Sequence, residues 1–89
     1  MPKRVDTNHR EIVTALERIG AAVQSLHTIG KGCPDLLVSY RGCNYVLELK
    51  TPKGKRNAQQ LEWHNKWQAD VHTVSSVEQA FAAIGVRFS

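Results

Sequence analysis

Three ionisable residues stand where strand geometry would gather them: Asp35, Glu48 and Lys50. Glu48 and Lys50 lie in the run Tyr45-Val-Leu-Glu-Leu-Lys. Side chains of a strand alternate between its faces, so the acid and the amine project one way, and Leu47 and Leu49 project into an opposite, apolar layer. Asp35 follows Pro34 at the opening of the preceding strand, a place where proline is tolerated because the first residue need not donate to the ladder. A hairpin joining the two strands folds both carboxylates onto one face, near the same end. Two converging carboxylates beside an ammonium suit a hard cation such as Mg²⁺, which prefers oxygen ligands and keeps several of its waters. Such an ion lowers the pKa of a bound water and neutralises charge developing on a phosphate. The lysine can hold or help deprotonate the attacking water, or stabilise transition-state oxygens. Together these groups would drive in-line attack of water on a phosphodiester. Singly, each residue also reads as ordinary surface chemistry, an edge-strand ion pair and a turn acid; the complete set beside a basic loop favours the catalytic reading.

The elements needed to position this set can be read along the chain. Ile12, Val13, Leu16 and Ile19 recur at helical spacing, with Arg10, Glu11, Glu17 and Arg18 mostly on the other side. Thr7 or Asn8 is expected to cap that helix and Gly20 to end it. The segment from Ala22 to Thr28 reads as a strand and Gly30-Lys-Gly-Cys-Pro as a loop. Leu36–Tyr40 and Tyr45–Lys50 read as strands separated by turn residues Arg41 to Asn44, an antiparallel hairpin. Asn57 can cap a second helix with Gln60 at N3, the capping-box spacing. Val71–Val74 is a further strand, and Ser76 caps a last helix bearing Val77, Ala80, Phe81 and Ile84. The order α-β-β-β-α-β-α implies an α/β fold, a mixed sheet flanked by helices, with the last strand reached by a right-handed parallel crossover through the second helix.

Composition bounds the rest. The chain has 89 residues, 42% hydrophobic and 22% charged, which fits one folded domain spanning residues 1–89 rather than a disordered tail. No apolar run approaches the roughly 20 residues of a membrane span, and the start Met-Pro-Lys-Arg-Val-Asp lacks the apolar stretch of a signal peptide, so a cytoplasmic location away from membranes is expected. Cys33 and Cys43 are too few for a disulfide framework, and the four histidines are too scattered for zinc; buried or half-buried structural thiols are expected. The net charge of +4 suggests a polyanionic partner. Lys50, Lys53, Lys55 and Arg56 cluster within seven positions in a Pro/Gly-containing stretch, which reads as a solvated charged loop or, with added weight from the acids beside it, as a phosphate-facing cluster. Lys31, between two glycines that let backbone approach closely, is a further candidate phosphate contact. Trp63 and Trp67, four residues apart, share one helix face, read as core or subunit packing, and His64 reads as a packing or surface residue.

At this point the chain resembles a known family. Cys33-Pro-Asp-Leu-Leu-Val followed by Val46-Leu-Glu-Leu-Lys matches the Pro-Asp…(Asp/Glu)-X-Lys signature of the PD-(D/E)XK nuclease superfamily. The longer run Gly32-Cys-Pro-Asp-Leu-Leu…Glu-Leu-Lys-Thr-Pro…Gln60-Leu-Glu-Trp63 is similar to its virus-type replication-repair nuclease (VRR-NUC) branch, in particular to short stand-alone phage versions. The resemblance covers nearly the whole chain and implies a restriction-endonuclease-like αβββαβ(α) core. It further implies that Asp35 and Glu48 ligate Mg²⁺ or Mn²⁺ with the Leu49 backbone carbonyl as third ligand, and that Lys50 is the catalytic lysine. Glu11 matches a helix-one glutamate that faces the metal site, and Gln60 a second-helix glutamine that orients groups near it. From spacing alone, Glu11 is equally a solvated helix residue and Gln60 equally the capping partner of Asn57. The activity implied is a metal-dependent DNA endonuclease acting on branched DNA, Holliday-junction-like or flap. Its partners would be DNA and a second copy in a homodimer, and its location the cytoplasm, that of the host if phage-encoded. The alternative is a non-catalytic module of the double-stranded-RNA-binding type, which also runs α-β-β-β-α and carries basic residues before its last helix. That fold needs no acids within its strands and lacks a final β-α unit.

Overall fold

The computed structural model describes residues 4–50 and 57–86, with side chains from residue 8. Its elements are α1 (Arg4–Arg18), β1 (Ala22–Ser25), β2 (Leu36–Tyr40), β3 (Cys43–Leu49), α2 (Ala58–Lys66), β4 (His72–Val74) and α3 (Val77–Ala83). The four strands lie in the order β1-β2-β3-β4. Both pairs among the first three strands are antiparallel, and β4 runs parallel to β3 after the α2 crossover. The α/β fold with a mixed sheet is therefore the one expected.

Strand alternation divides the sheet into two faces. Leu36, Val38, Leu47 and Val74 point to one side and bury against Ile12 and Leu16 of α1 and Ala80 and Ile84 at α3. Full burial of each large aliphatic side chain contributes about 1.5–3 kcal/mol, which is why these helices cover that face. Glu48 points to the other side, where α2 lies across it. No residue of α2 is buried; it meets the sheet through contacts of Gln60 and His64 with Glu48 and the loop before Asp35 through Gly32.

Several boundaries differ from expectation, each for a local reason. The α1 helix begins at Arg4, so Thr7 and Asn8 are interior and neither is its cap; no proline between Arg4 and Thr7 interrupts it. β1 stops at Ser25 instead of Thr28. Leu26 N–H still donates to Asp35 O (2.8 Å), but the next partner in register is Pro34, which has no N–H to give, and Ile29 N–H turns back to Leu26 O (3.0 Å). The hairpin turn is only Arg41-Gly42: Tyr40 pairs with Cys43, and Arg41 and Gly42 both adopt positive φ (51° and 82°), the two-residue turn whose twist matches that of its strands. The Arg41 guanidinium lies 5.4 Å from the Tyr40 ring centroid, a cation–π contact that offsets part of the strain at a non-glycine residue. Because the turn is short, Cys43 and Asn44 belong to β3, and Cys43 is exposed rather than buried, while Cys33 is half-buried; both are free thiols. No helix among the described residues is long and apolar enough to cross a membrane.

Candidate active site

The site begins with an irregularity in the ladder. The register Leu36↔Leu47, continued, would set Asp35 opposite Glu48. Instead Asp35 N–H donates to Leu47 O (3.1 Å) while Asp35 O accepts from Leu26 N–H (2.8 Å), so its two backbone groups serve strands on opposite sides. The ladder slips by one residue here, as at a β-bulge, a device that re-aims a side chain. Asp35 thus lies just before β2 rather than opening it, and its Oδ2 accepts the Leu49 N–H at 2.7 Å. Pro34 contributes to this opening, since it brings no N–H to β3. Lys50 N–H donates across to Val74 O of β4 (2.9 Å), so the backbone groups of Leu49, one residue earlier, face the Asp35 side. The Leu49 carbonyl is thereby directed to the side on which the Asp35 carboxylate lies.

Glu48 is the one acidic residue among the buried polar groups described, at 7% exposure. Burying a carboxylate is costly unless partners compensate, and α2 supplies them. Gln60 Nε2 donates to Glu48 Oε2 (3.2 Å), and His64 Nε2 lies 3.8 Å from Glu48 Oε1. Gln60 and His64 are one helical turn apart, so both reach the same carboxylate from one helix face. Gln60 also completes the capping box: its N–H donates to Asn57 Oδ1 and its Oε1 accepts from Asn57 N–H, both at 2.9 Å. Gln60 makes both contacts at once: its amide oxygen serves the cap while its NH₂ donates to Glu48. His64, which the sequence presents as a packing or surface residue, is half-buried against Glu48; the signal for this contact is its four-residue spacing from Gln60.

The loop before Asp35 is tied to the same helix. Gly32 (φ 83°) packs so closely on the first turn of α2 that a Cβ there would collide with the backbone of Gln59. The Cys33 thiol, next in line, has its pKa pushed up by burial first and then by the Glu48 and Asp35 carboxylates, so both acids act on one sulfur. Lys31 is exposed in this loop with φ 59°. Lys50 is exposed at the end of β3, and by alternation its side chain leaves the strand on the Glu48 side.

Other candidates stand apart. Glu11 is exposed on α1, on the face of the sheet opposite Glu48, along a groove with Arg10, Thr14, Ala15, Arg18 and Val77; the structure does not join it to the carboxylates. Lys53, Lys55 and Arg56 lie outside the described residues. Trp63 and Trp67 do not enter the core: their rings stack on each other at 4.4 Å and 20°, and Trp67 and Leu61 remain 44% and 49% exposed. Among the described residues no three His, Cys, Asp or Glu side chains are grouped to hold a metal ion. The donors on offer are instead two carboxylates and a backbone carbonyl. An all-oxygen set with so few protein ligands fits a cation that keeps much of its water, as Mg²⁺ does, and does not fit a closed zinc cage.

Comparison with known proteins bears on this arrangement. A solved structure of a VRR_NUC domain is similar to the chain at 27% identity, with a TM-score of 0.73, over 93% of this chain and 96% of that one. No family model and no curated protein matches the chain.

Proposed function

We propose that this chain, similar to a VRR_NUC domain over 93% of its length, is a metal-dependent DNA endonuclease selective for branched DNA. The observation that carries this reading is the coupling of the two acids to one backbone segment. Asp35 is hydrogen-bonded to Leu49 N–H, and Glu48, the preceding residue, is buried and bonded to Gln60.

In this reading Asp35, Glu48 and the Leu49 carbonyl hold Mg²⁺ or Mn²⁺. The bound ion supplies a water of lowered pKa and neutralises charge on the phosphate. The chain's own residues do the rest. Leu49 N–H fixes one Asp35 oxygen. Gln60 and His64 hold the Glu48 carboxylate in one orientation, which matters because ligand-orienting partners typically change metal affinity or activity by about 10–100-fold. Lys50, exposed beside Glu48, positions the attacking water or the scissile phosphate. Lys31 and the basic residues Lys53, Lys55 and Arg56 grip neighbouring phosphates, and Glu11 is assigned at most an indirect, water-borne role, given its place on the far face. Exposed Leu61 and Trp67 on α2 favour a homodimer, with the two-fold arrangement that such interfaces usually take; light scattering tests it.

The binding-only alternative has less support. A buried, doubly contacted Glu48 has no use in a phosphate-gripping module, and β4-α3 adds a unit that the double-stranded-RNA-binding fold lacks. The test is incubation with flap, splayed-arm and four-way-junction DNA in Mg²⁺, Mn²⁺ or EDTA. Metal-dependent cutting is expected, with Asp35→Asn, Glu48→Gln and Lys50→Ala binding DNA but barely cutting it. Binding without cutting in wild type and variants alike would establish the alternative.

A further inference from the structure

The sheet face that carries Glu48 is open beyond that residue. α1 and α3 cover the opposite face, and α2 meets this one at Glu48 through Gln60 and His64. Alternation and register place two cross-strand pairs on it between Glu48 and the β2–β3 hairpin: Leu37 with Val46, then Ser39 with Asn44. β1 adds Gln24 beside Leu37 and Ala22 beside Ser39. All are exposed except Val46, which is half-buried. Within the four strands Glu48 is the only carboxylate, so the strip offers a hydroxyl, an amide and an aliphatic middle with no strand acid to repel an anion. Its β1 border is closed. Leu26 N–H donates towards β2, so the Ser25 carbonyl of the same peptide faces outward, and Gln24 Nε2 donates to it at 3.0 Å. An edge carbonyl engaged in this way is a poorer template for pairing with another chain.

The size and place of the strip point to its occupant. From Glu48 to Asn44 along β3 is about 14 Å at roughly 3.4 Å per residue, and β1 to β3 is about 10 Å across. At about 140 Å² the strip falls far short of the roughly 800 Å² per partner of a stable protein interface. It matches a single nucleic-acid strand, which advances about 3.4 Å per nucleotide. It is also continuous with Glu48 on the same strand and the same face, so a strand seated at the candidate site runs onto it without crossing the sheet. We propose that this strip carries a strand of the bound DNA for about four nucleotides from the scissile phosphate towards the hairpin, with Ser39 and Asn44 hydrogen-bonding backbone phosphates and Leu37 and Val46 under the sugars. Lys50 lies beyond Glu48 at the other end of β3, so charged and neutral contacts flank the scissile phosphate. The proposal rests on the nuclease reading for the place of the cut; contact between the strip and DNA is tested apart from cutting.

The test measures binding of a labelled four-way junction to the full chain in EDTA across a salt series. The variants are Asn44→Ala, Ser39→Glu and Ser39→Lys, with Thr14→Glu, exposed on α1 across the sheet, as a control of equal charge. All three positions are exposed, so the fold should persist, and circular dichroism checks this. Asn44→Ala should weaken binding several-fold, up to about 10-fold. The slope of log affinity against log salt should not change in that variant, because a neutral amide releases no counterion. Ser39→Glu should weaken binding at least as much, and more than Thr14→Glu does. Ser39→Lys should gain a phosphate contact, steepening the slope by about 0.9 and tightening binding on the order of fivefold near physiological salt. The proposal is overturned if Ser39→Glu binds no worse than Thr14→Glu and Ser39→Lys keeps the wild-type slope, even if wild type cuts DNA. It is also overturned if the strip variants change the oligomeric state in light scattering while DNA affinity stays that of wild type, since the strip would then contact a second copy. The predicted binding changes with no cutting by any protein in Mg²⁺ would uphold the strip as a DNA contact and remove the nuclease reading.

Discussion

Gly32→Ala should damage the site without touching any group in it. A Cβ at Gly32 would stand 2.5 Å from the Gln59 carbonyl carbon and 2.8 Å from Gln60 N, where ordinary contact begins at 3.4 Å. The obstacle is helix backbone, which cannot swing aside as a side chain can, so the first turn of α2 must recede by roughly 1 Å. The Gln60 Nε2 to Glu48 Oε2 bond, already 3.2 Å, would then open to about 4 Å and be lost. A left-handed φ costs a non-glycine residue about 1–2 kcal/mol, and a hydrogen bond to a charged group is worth about 1.5–3 kcal/mol, so the expected destabilisation is about 3–4 kcal/mol. Gly30 is the internal control: its φ is also positive, at 71°, but a Cβ there meets nothing within 4 Å, so Gly30→Ala should lose only the backbone part. Urea denaturation of both variants gives the difference, and a misplacement of this size can cost about 100-fold in cutting. The reasoning fails if Gly32→Ala is no less stable than Gly30→Ala and cuts branched DNA at the wild-type rate.

Three other outcomes follow from the same contacts. Gln60→Glu keeps a residue suited to the capping box but loses the hydrogen bond to Glu48 and sets a second carboxylate against it, so stability in thermal melting should fall, by at least the roughly 1.5–3 kcal/mol of that bond, and cutting should fall steeply. His64→Ala should lower the cutting rate at saturating DNA by about 10-fold or more with little change in DNA affinity, since His64 acts through Glu48. The raised Cys33 pKa keeps that thiol protonated, so iodoacetamide followed by mass spectrometry should label exposed Cys43 well before Cys33. The same shift means the folded chain retains a proton the unfolded chain releases above the ordinary value of 9.0; stability, whole below that pH, should decline as pH rises beyond it, and Cys33→Ser should flatten that decline.

What was legible in the sequence was what local chemistry decides. Asn57 and Gln60 announce their capping box by spacing alone, and Ser76 caps α3 in the same way. The alternation through Leu47, Glu48 and Leu49 divides core from site because a strand has no other option. The parts that escaped depend on distant partners. β1 ends early because of Pro34, which is remote in sequence and adjacent only once β2 is paired. The ladder slip at Asp35 combines three strands and has no local signature. His64 looks like a packing residue until α2 is laid over Glu48, and the double service of Gln60 is visible only when its amide is seen to have two ends in use. The tryptophans suggested a core, but α2 buries nothing, since the apolar face of the sheet is already taken by α1 and α3.

Binding of Mn²⁺ to the DNA-free chain, followed by electron paramagnetic resonance and calorimetry, tests the central claim most directly. The account predicts a single Mn²⁺ site in wild type that Mg²⁺ displaces, that Asp35→Asn and Glu48→Gln each abolish, and that Gln60→Ala weakens. Undiminished Mn²⁺ binding in both carboxylate variants would contradict it.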